Sequence, residues 1–231
     1  MAQLYVVRHG QASFGAADYD QLSDLGWQQS RWLGEYFAQR DIQFDRVITG
    51  TLKRHRETLQ GITQGMVLSQ VNANANTLEH AGLNEYDSSV MFKARAAAGK
   101  MAMFDEANLS ADRRVYFREL REALYDWSEA KLQPPDYQTF AQFRQGVVDG
   151  MAAAMQEGAK CVLLVSSGGP ISNMVGQVLQ VPNRVTVDLN LQTRNASISQ
   201  FAFSPKTLAL MSFNTVPHLD LPGRIASITY S

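Results

Sequence analysis

The sequence predicts an α/β fold: a three-layer α/β/α domain around a mostly parallel central sheet, with a helical insertion. Three observations predict it. Short, continuous apolar runs such as Leu4 to Val7 and Cys161 to Val165 suit strands covered on both faces. Between such runs lie segments with helical spacing of apolar residues, so the order reads β-α-β-α. The third is scale. The chain has 231 residues, 45% of them hydrophobic and 19% charged, which suits one domain over 1–231 with a sizeable core.

The elements follow in order. After Leu4 to Val7, Ser23 can cap a helix whose apolar stripe is Leu25, Trp32, Leu33, Tyr36 and Phe37. "DRVITG" (45–50) reads as a strand and "TLKRHRETLQGI" (51–62) as the next helix. From about 86 to 133 no clear strand occurs. Mixed charges and the spacing of Tyr116, Leu120, Leu124 and Trp127 predict a helical cap. Pro134-Pro135 ends it, and Asp136 is expected to cap a helix over about 137–157, with Phe140, Phe143, Val147, Met151 and Met155 inward. "CVLLVSSGGPISNMVGQVL" then reads as strand, Gly168-Gly169 turn and helix, with Pro170 first in the helix. Three β-like runs are expected to close the chain through hairpins: 185–189, 196–203 and 207–213.

Composition excludes several functions. Formal net charge is -1, with 21 basic and 22 acidic residues, so nothing draws the chain generally to nucleic acid or anionic membrane. The single cysteine, Cys161, rules out a disulfide framework and fits a reducing compartment. No signal-peptide pattern opens the chain, and no apolar run approaches the roughly 20 residues a membrane helix needs. The expectation is a cytoplasmic protein without membrane or nucleic-acid partners. Four scattered histidines and one cysteine give no spaced metal site, and "SSGGP" matches neither a dinucleotide nor a Walker fingerprint, so no cofactor is expected.

In an open α/β sheet, ligands bind beyond the carboxyl ends of the strands. Three such ends carry chemistry: Arg8-His9-Gly10, Thr49-Gly50-Thr51 leading to Arg54, and Ser166-Ser167-Gly168-Gly169. Arginine is a fixed planar cation suited to phosphate, histidine is a nucleophile or proton carrier near neutral pH, and a helix N-terminus adds N–H donors. Taken singly, each residue also has a structural explanation: an ion pair for Arg8, a solvated helix face for Arg54, an ordinary loop carboxylate for Glu85.

The ordered set "LYVVRHGQA", "YDQLSDLGWQQS", "VITGTLKRHRET", "GLNEYD" and strand–Gly-Gly–helix resembles the histidine phosphatase superfamily, which includes the phosphoglycerate mutases. The resemblance covers most of the chain, extends to "SFNTVPHL", and is thinnest over 86–133. It implies that His9 attacks a phosphoryl group and becomes phosphohistidine. It also implies that Arg8 and Arg54 clamp the phosphate and that Glu85 protonates the leaving oxygen, with Asp87 as a rival acid. The chain departs from the pattern at Ser167, where the family has a second histidine. Losing that contact costs about 1.5–3 kcal/mol, or roughly one to two decades of rate. Ser167 and Gly168 remain as expected phosphate-binding residues.

Of the other histidines, His55 is expected to point elsewhere on its helix, His80 to be a loop residue and His218 to be structural. The implied function is a phosphomonoesterase, with activity lowered at Ser167, acting on a phosphorylated small molecule. Open alternatives are a phosphate-ester-binding protein without turnover, phosphoglycerate mutase-type transfer, and an interaction protein whose cap does the work. A homodimer is also left open.

Overall fold

A computed structural model describes residues 1–13, 20–67, 77–101, 112–204 and 206–230. Six strands form one sheet: β1 (Ala2–Arg8), β2 (Arg46–Thr49), β3 (Thr77–Glu79), β4 (Cys161–Ser166), β5 (Ile198–Ser204) and β6 (Thr207–Thr215). Their order across the sheet is β3-β2-β4-β1-β5-β6. The first four are mutually parallel, and β5 and β6 add an antiparallel edge beside β1. Seven helices are described: α1 (Asp24–Gln39), α2 (Lys53–Val67), α3 (Ser88–Ala97), α4 (Arg113–Ser128), α5 (Phe140–Ala154), α6 (Gly168–Leu179) and α7 (Asn183–Leu191).

Alternation along the strands divides the core in two. Tyr5, Val7, Leu163 and Val165 pack against Leu33 and Phe37 of α1 and Ile62 and Met66 of α2. Leu4, Val6, Val162 and Leu164 face the other way, towards Phe143 and Val147 of α5, Ile171 and Met174 of α6, and Leu120 and Trp127 of α4. Both faces are therefore covered, and this is why the strands read as unbroken apolar runs. Helices α1 and α2 meet through glycines. A Cβ on Gly34 would collide with the Ile62 carbonyl, and one on Gly65 with the Arg31 carbonyl. The two backbones touch directly there.

Most expected elements are present, and five details are corrected. The run 185–189 lies in helix α7, not a strand. "VTVDL" alternates apolar and polar residues, but Thr186, Val187 and Asn190 turn inward at helical spacing against α6. Among the described residues, of the three expected runs only the two that form β5 and β6 make a hairpin. Helix α5 starts at Phe140, because Thr139 and Gln142 form a reciprocal capping box, while Asp136 sits in the left-handed region at φ 51°. Gly168 and Gly169 are already helical, so Pro170 is the third helical residue. Strand β3 escapes pattern reading, since its three residues are all exposed. Ser23 caps α1 as expected, its Oγ accepting the Gly26 N–H at 3.1 Å.

Within 86–133, α3 and α4 are joined by Arg95, which pairs with Glu119 and Asp126, and by Lys100 on Asp126. Residues 102–111 of the expected cap lie outside the described residues. Among the described residues, no helix is long and apolar enough to cross a membrane.

His218 is buried beside Tyr36, with ring centroids 6.3 Å apart. Among the described residues neither ring nitrogen has a hydrogen-bond partner. Burial, helped by Arg224, pushes its pKa down to about 3. As pH falls from about 6.5 towards 3, the unfolded chain binds a proton that the folded chain refuses, so stability drops through that window. His218→Phe removes this penalty. Urea melts at pH 7 and pH 5 should show the acid-induced loss of unfolding free energy shrinking by about 2 kcal/mol in the variant.

Candidate active site

The three chemistry-bearing strand ends converge. Arg8 stands beside Ser166 in the β1–β4 register, and Thr49 beside Val165 in β2–β4. All three ends therefore open on one edge of the sheet, the edge where open α/β folds bind ligands. A cavity of about 100 Å³ lies there, lined by Arg8, His9, Arg54, Glu85, Tyr86, Ser88, Tyr116, Phe117, Leu120, Asn190 and Leu191.

His9 follows β1 and is held from both sides. Its N–H donates to the Ser166 carbonyl at 2.9 Å, and its carbonyl accepts from Ala196 N–H at 3.1 Å. Its Nδ1 lies 2.7 Å from the Gly10 carbonyl. A carbonyl can only accept, so Nδ1 carries the proton and Nε2 keeps a free lone pair. Burial, then Arg54 and Arg8, push the His9 pKa well below the usual imidazole range, so the ring is neutral at pH 7. Gly10 is tied to α2 by its N–H, which donates to Thr58 Oγ1 at 3.0 Å.

The two arginines reach the cavity from opposite faces of the sheet. Arg8 is buried, and its guanidinium donates to the Thr193 carbonyl. Arg54 comes from the first turn of α2 and pairs with Asp20 at 2.6 Å. Glu85 comes from the segment after a short 3-10 turn (Ala81–Leu83). It sits deep but keeps some exposure, because it faces the cavity. The Gly169 N–H donates to its Oε2 at 3.1 Å. A Cβ on Gly169 would occupy the place of Glu85 Oε1, so this carboxylate needs glycine there. Desolvation raises the Glu85 pKa, against the opposing pull of Gly169 N–H, Arg54 and Arg8.

Of the expected residues, His9, Arg8, Arg54 and Glu85 come together on the cavity. Ser167 and Gly168 do not line it. Both are buried just behind, Ser167 at the N-cap of α6 and Gly168 against Asn190 and Thr193. Asp87, the rival acid, is occupied as the N-cap of α3, accepting from the Ser89 and Val90 N–H groups. His80 caps the 3-10 turn through Gly82 N–H. None of Lys93, Arg95, Lys100, Arg113, Arg114, Arg118 and Arg121 lines the cavity; α4 presents Tyr116, Phe117 and Leu120 instead.

One expectation is overturned. His55 does not point away: it is fully buried, its Nε2 lies 2.7 Å from Ser167 Oγ, and its ring centroid is 5.8 Å from that of His9. The signal was in the pattern. The buried stripe Met66, Ile62 and Thr58, traced back along α2 at helical spacing, arrives at His55 and Arg54 together. Asn190 and Tyr86 were also missed. Asn190 Nδ2 donates to the Tyr86 hydroxyl at 2.9 Å and closes the cavity wall. Among the described residues, no group of three or more His, Cys, Asp or Glu is arranged to hold a metal ion.

The chain is similar to several known proteins. A search of curated proteins finds the broad-specificity phosphatase YOR283W of Saccharomyces cerevisiae, 25% identical over 225 residues, covering 94% of this chain and 87% of that one. Among solved structures, phosphoserine phosphatase of Entamoeba histolytica superposes with a TM-score of 0.63 at 19% identity, over 95% of this chain and 100% of the other. Phosphoglycerate mutase of Bacillus anthracis gives 0.61 at 18% identity, over 94% of each chain. These structures share the fold. The family model for the histidine phosphatase superfamily (branch 1) matches residues 4–216, from the first buried residue of β1 to Val216 beyond β6, and the chain belongs to that superfamily.

Proposed function

We propose that the chain is a phosphomonoesterase that works through a phosphohistidine on His9. The observation that carries this reading is the His9 ring, neutral and fixed by Gly10 with Nε2 unprotonated, in a cavity shared with Arg8, Arg54 and Glu85. The yeast relative is a broad-specificity phosphatase, which supports this reading.

The Nε2 lone pair of His9 attacks phosphorus, and the bond to the ester oxygen breaks. Arg8 and Arg54 hold the charge spread over the phosphoryl oxygens. The Glu85 carboxyl gives its proton to the leaving oxygen, and its raised pKa keeps that proton available above the ordinary carboxylate range. Glu85 then takes a proton from water, whose oxygen attacks phosphorus. The N–P bond breaks, inorganic phosphate leaves, and His9 is neutral again.

The far end of the cavity indicates the substrate class. Tyr116, Phe117, Leu120 and Leu191 form its wall, and the cations lining the cavity among the described residues are Arg8 and Arg54, with Arg113 outside it over the Phe117 ring. A phosphate monoester of an uncharged aryl or alkyl alcohol fits this wall better than a phosphorylated acid. Hydrolysis of phenyl phosphate should exceed that of 3-phosphoglycerate by about tenfold or more in kcat/KM, since an unpaired carboxylate in that wall is costly. The reverse order would remove the apolar wall as a specificity element.

The main test is hydrolysis of p-nitrophenyl phosphate. His9→Ala should lose about a thousandfold or more in kcat and form no acid-labile phosphoenzyme. If wild type turns over no faster than His9→Ala while p-nitrophenyl phosphate still binds, the chain binds phosphate esters without hydrolysing them. Glu85→Gln should slow phenyl phosphate by about 10²–10⁴, with a much smaller effect on p-nitrophenyl phosphate, whose leaving group needs no proton. The wild-type rate on phenyl phosphate should fall as pH rises through the raised Glu85 pKa, and Glu85→Gln should abolish that limb.

A further inference from the structure

Helix α2 carries a buried histidine that the steps above do not use. His9 and Ser167 stand side by side. Arg8 pairs with Ser166, and the following residues continue the alternation of Val7 and Val165, so both side chains point to the α1–α2 side of the sheet. His55 arrives from that same side, 2.7 Å from Ser167 Oγ and with its ring 5.8 Å from that of His9. His9 lines the cavity, and Ser167 and His55 form a buried row beside and behind it.

Among the described residues, the Ser167 hydroxyl makes no capping bond and meets His55. A serine at an N-cap ordinarily accepts the N–H of the second or third helical residue. Here the second is Gly169, whose N–H goes to Glu85, and the third is Pro170, which has none. Ser167 makes no capping bond and turns to His55 instead. The other ring nitrogen, Nδ1, packs against Gly50 so tightly that a Cβ there would displace it. The groups acting electrostatically on His55 are Arg54 and Arg56 of its own helix and His9 from the end of β1. With burial, they oppose a proton on the ring, while the Gly50 backbone favours one. A dianionic phosphoryl group beside His9 supplies the negative charge this cluster lacks, and a proton on His55 then becomes favourable.

We propose that His55 is a positioning residue for phosphoryl transfer, acting through Ser167. It takes a proton from solvent as the phosphoryl group arrives. Its Nε2–H then donates to Ser167 Oγ, and the Ser167 hydroxyl donates to a phosphoryl oxygen on His9. The cation missing from the Ser167 loop is thereby supplied from α2, one residue after Arg54. The inference rests on the phosphohistidine reading, and its test separates the two.

The full chain is assayed with p-nitrophenyl phosphate, and orthovanadate serves as a binding probe. His55→Gln and Ser167→Ala should each lower kcat about 10- to 100-fold with little change in KM, the size of one lost charge-assisted contact. The double variant should fall no further than the worse single, because both break one relay. Ser167→His alone meets the His55 ring and should lose activity; adding His55→Ala should bring kcat back to within about tenfold of wild type. In nitrogen NMR of wild type and of His9→Ala, the His55 ring, assigned by its loss in His55→Gln, should change from neutral to imidazolium on saturation with vanadate.

Wild-type kcat in both single variants, with His9→Ala inactive, overturns the relay and leaves the phosphohistidine reading standing. A His55 ring that stays neutral in the vanadate complex, or vanadate that does not bind, also overturns the relay. If wild type turns over no faster than His9→Ala, the phosphohistidine reading has failed, and the vanadate titration of the wild-type chain decides the relay alone.

Discussion

Arg8, His9, Arg54 and His55 are all buried within one small region at the carboxyl ends of the strands. Four basic side chains placed together and away from water repel one another and lose hydration. The structure bears this arrangement because both histidines stay neutral, while Arg8 reaches the Thr193 carbonyl and Arg54 the Asp20 carboxylate. An anion bound among these groups would relieve the same strain. The glycine contact between α1 and α2 fixes the helix that carries Arg54 and His55.

Much of the fold was legible in the sequence for simple reasons. β1 and β4 are covered on both faces, so they appear as continuous apolar runs. Helix α1 announces itself by a serine cap and a stripe. The elements that hid are those whose local pattern is ambiguous or short. Residues 185–189 alternate like a strand, and only the packing of α7 on α6 makes them a helix. β3 has three exposed residues and is defined by its pairing with β2 alone.

The candidate site divides in the same way. Arg8, His9, Arg54 and Glu85 were legible because each lies in a short ordered motif, and the motifs fall at strand ends. His55 was not, because proximity in space to Ser167 spans 112 residues of sequence. Its neighbours Lys53 and Arg56 are exposed, and they lend the segment the look of a solvated face. The distinction lies in the helix period: residues 54, 55, 58, 61, 62, 65 and 66 are all buried, a stripe broad enough to hold both basic residues on the inside. A charge-rich stretch at a helix start can thus be split residue by residue into outward and inward members once the stripe further along is traced back.

The direct backbone contact between α1 and α2 has an effect at a distance. With Gly34 against the Ile62 carbonyl and Gly65 against the Arg31 carbonyl, α2 has no intervening side chain at these two points in which to slide or roll. Its first turn carries Arg54 and His55, and Gly65 lies eleven residues, about 16 Å, further along the axis. Any change that pushes the two helices apart at the far end must rotate the near end, where hydrogen-bond distances of 2.6 and 2.7 Å leave little tolerance. The distal half of α2 is therefore as much a part of the site's alignment as the residues that touch the cavity, although nothing in its chemistry suggests so.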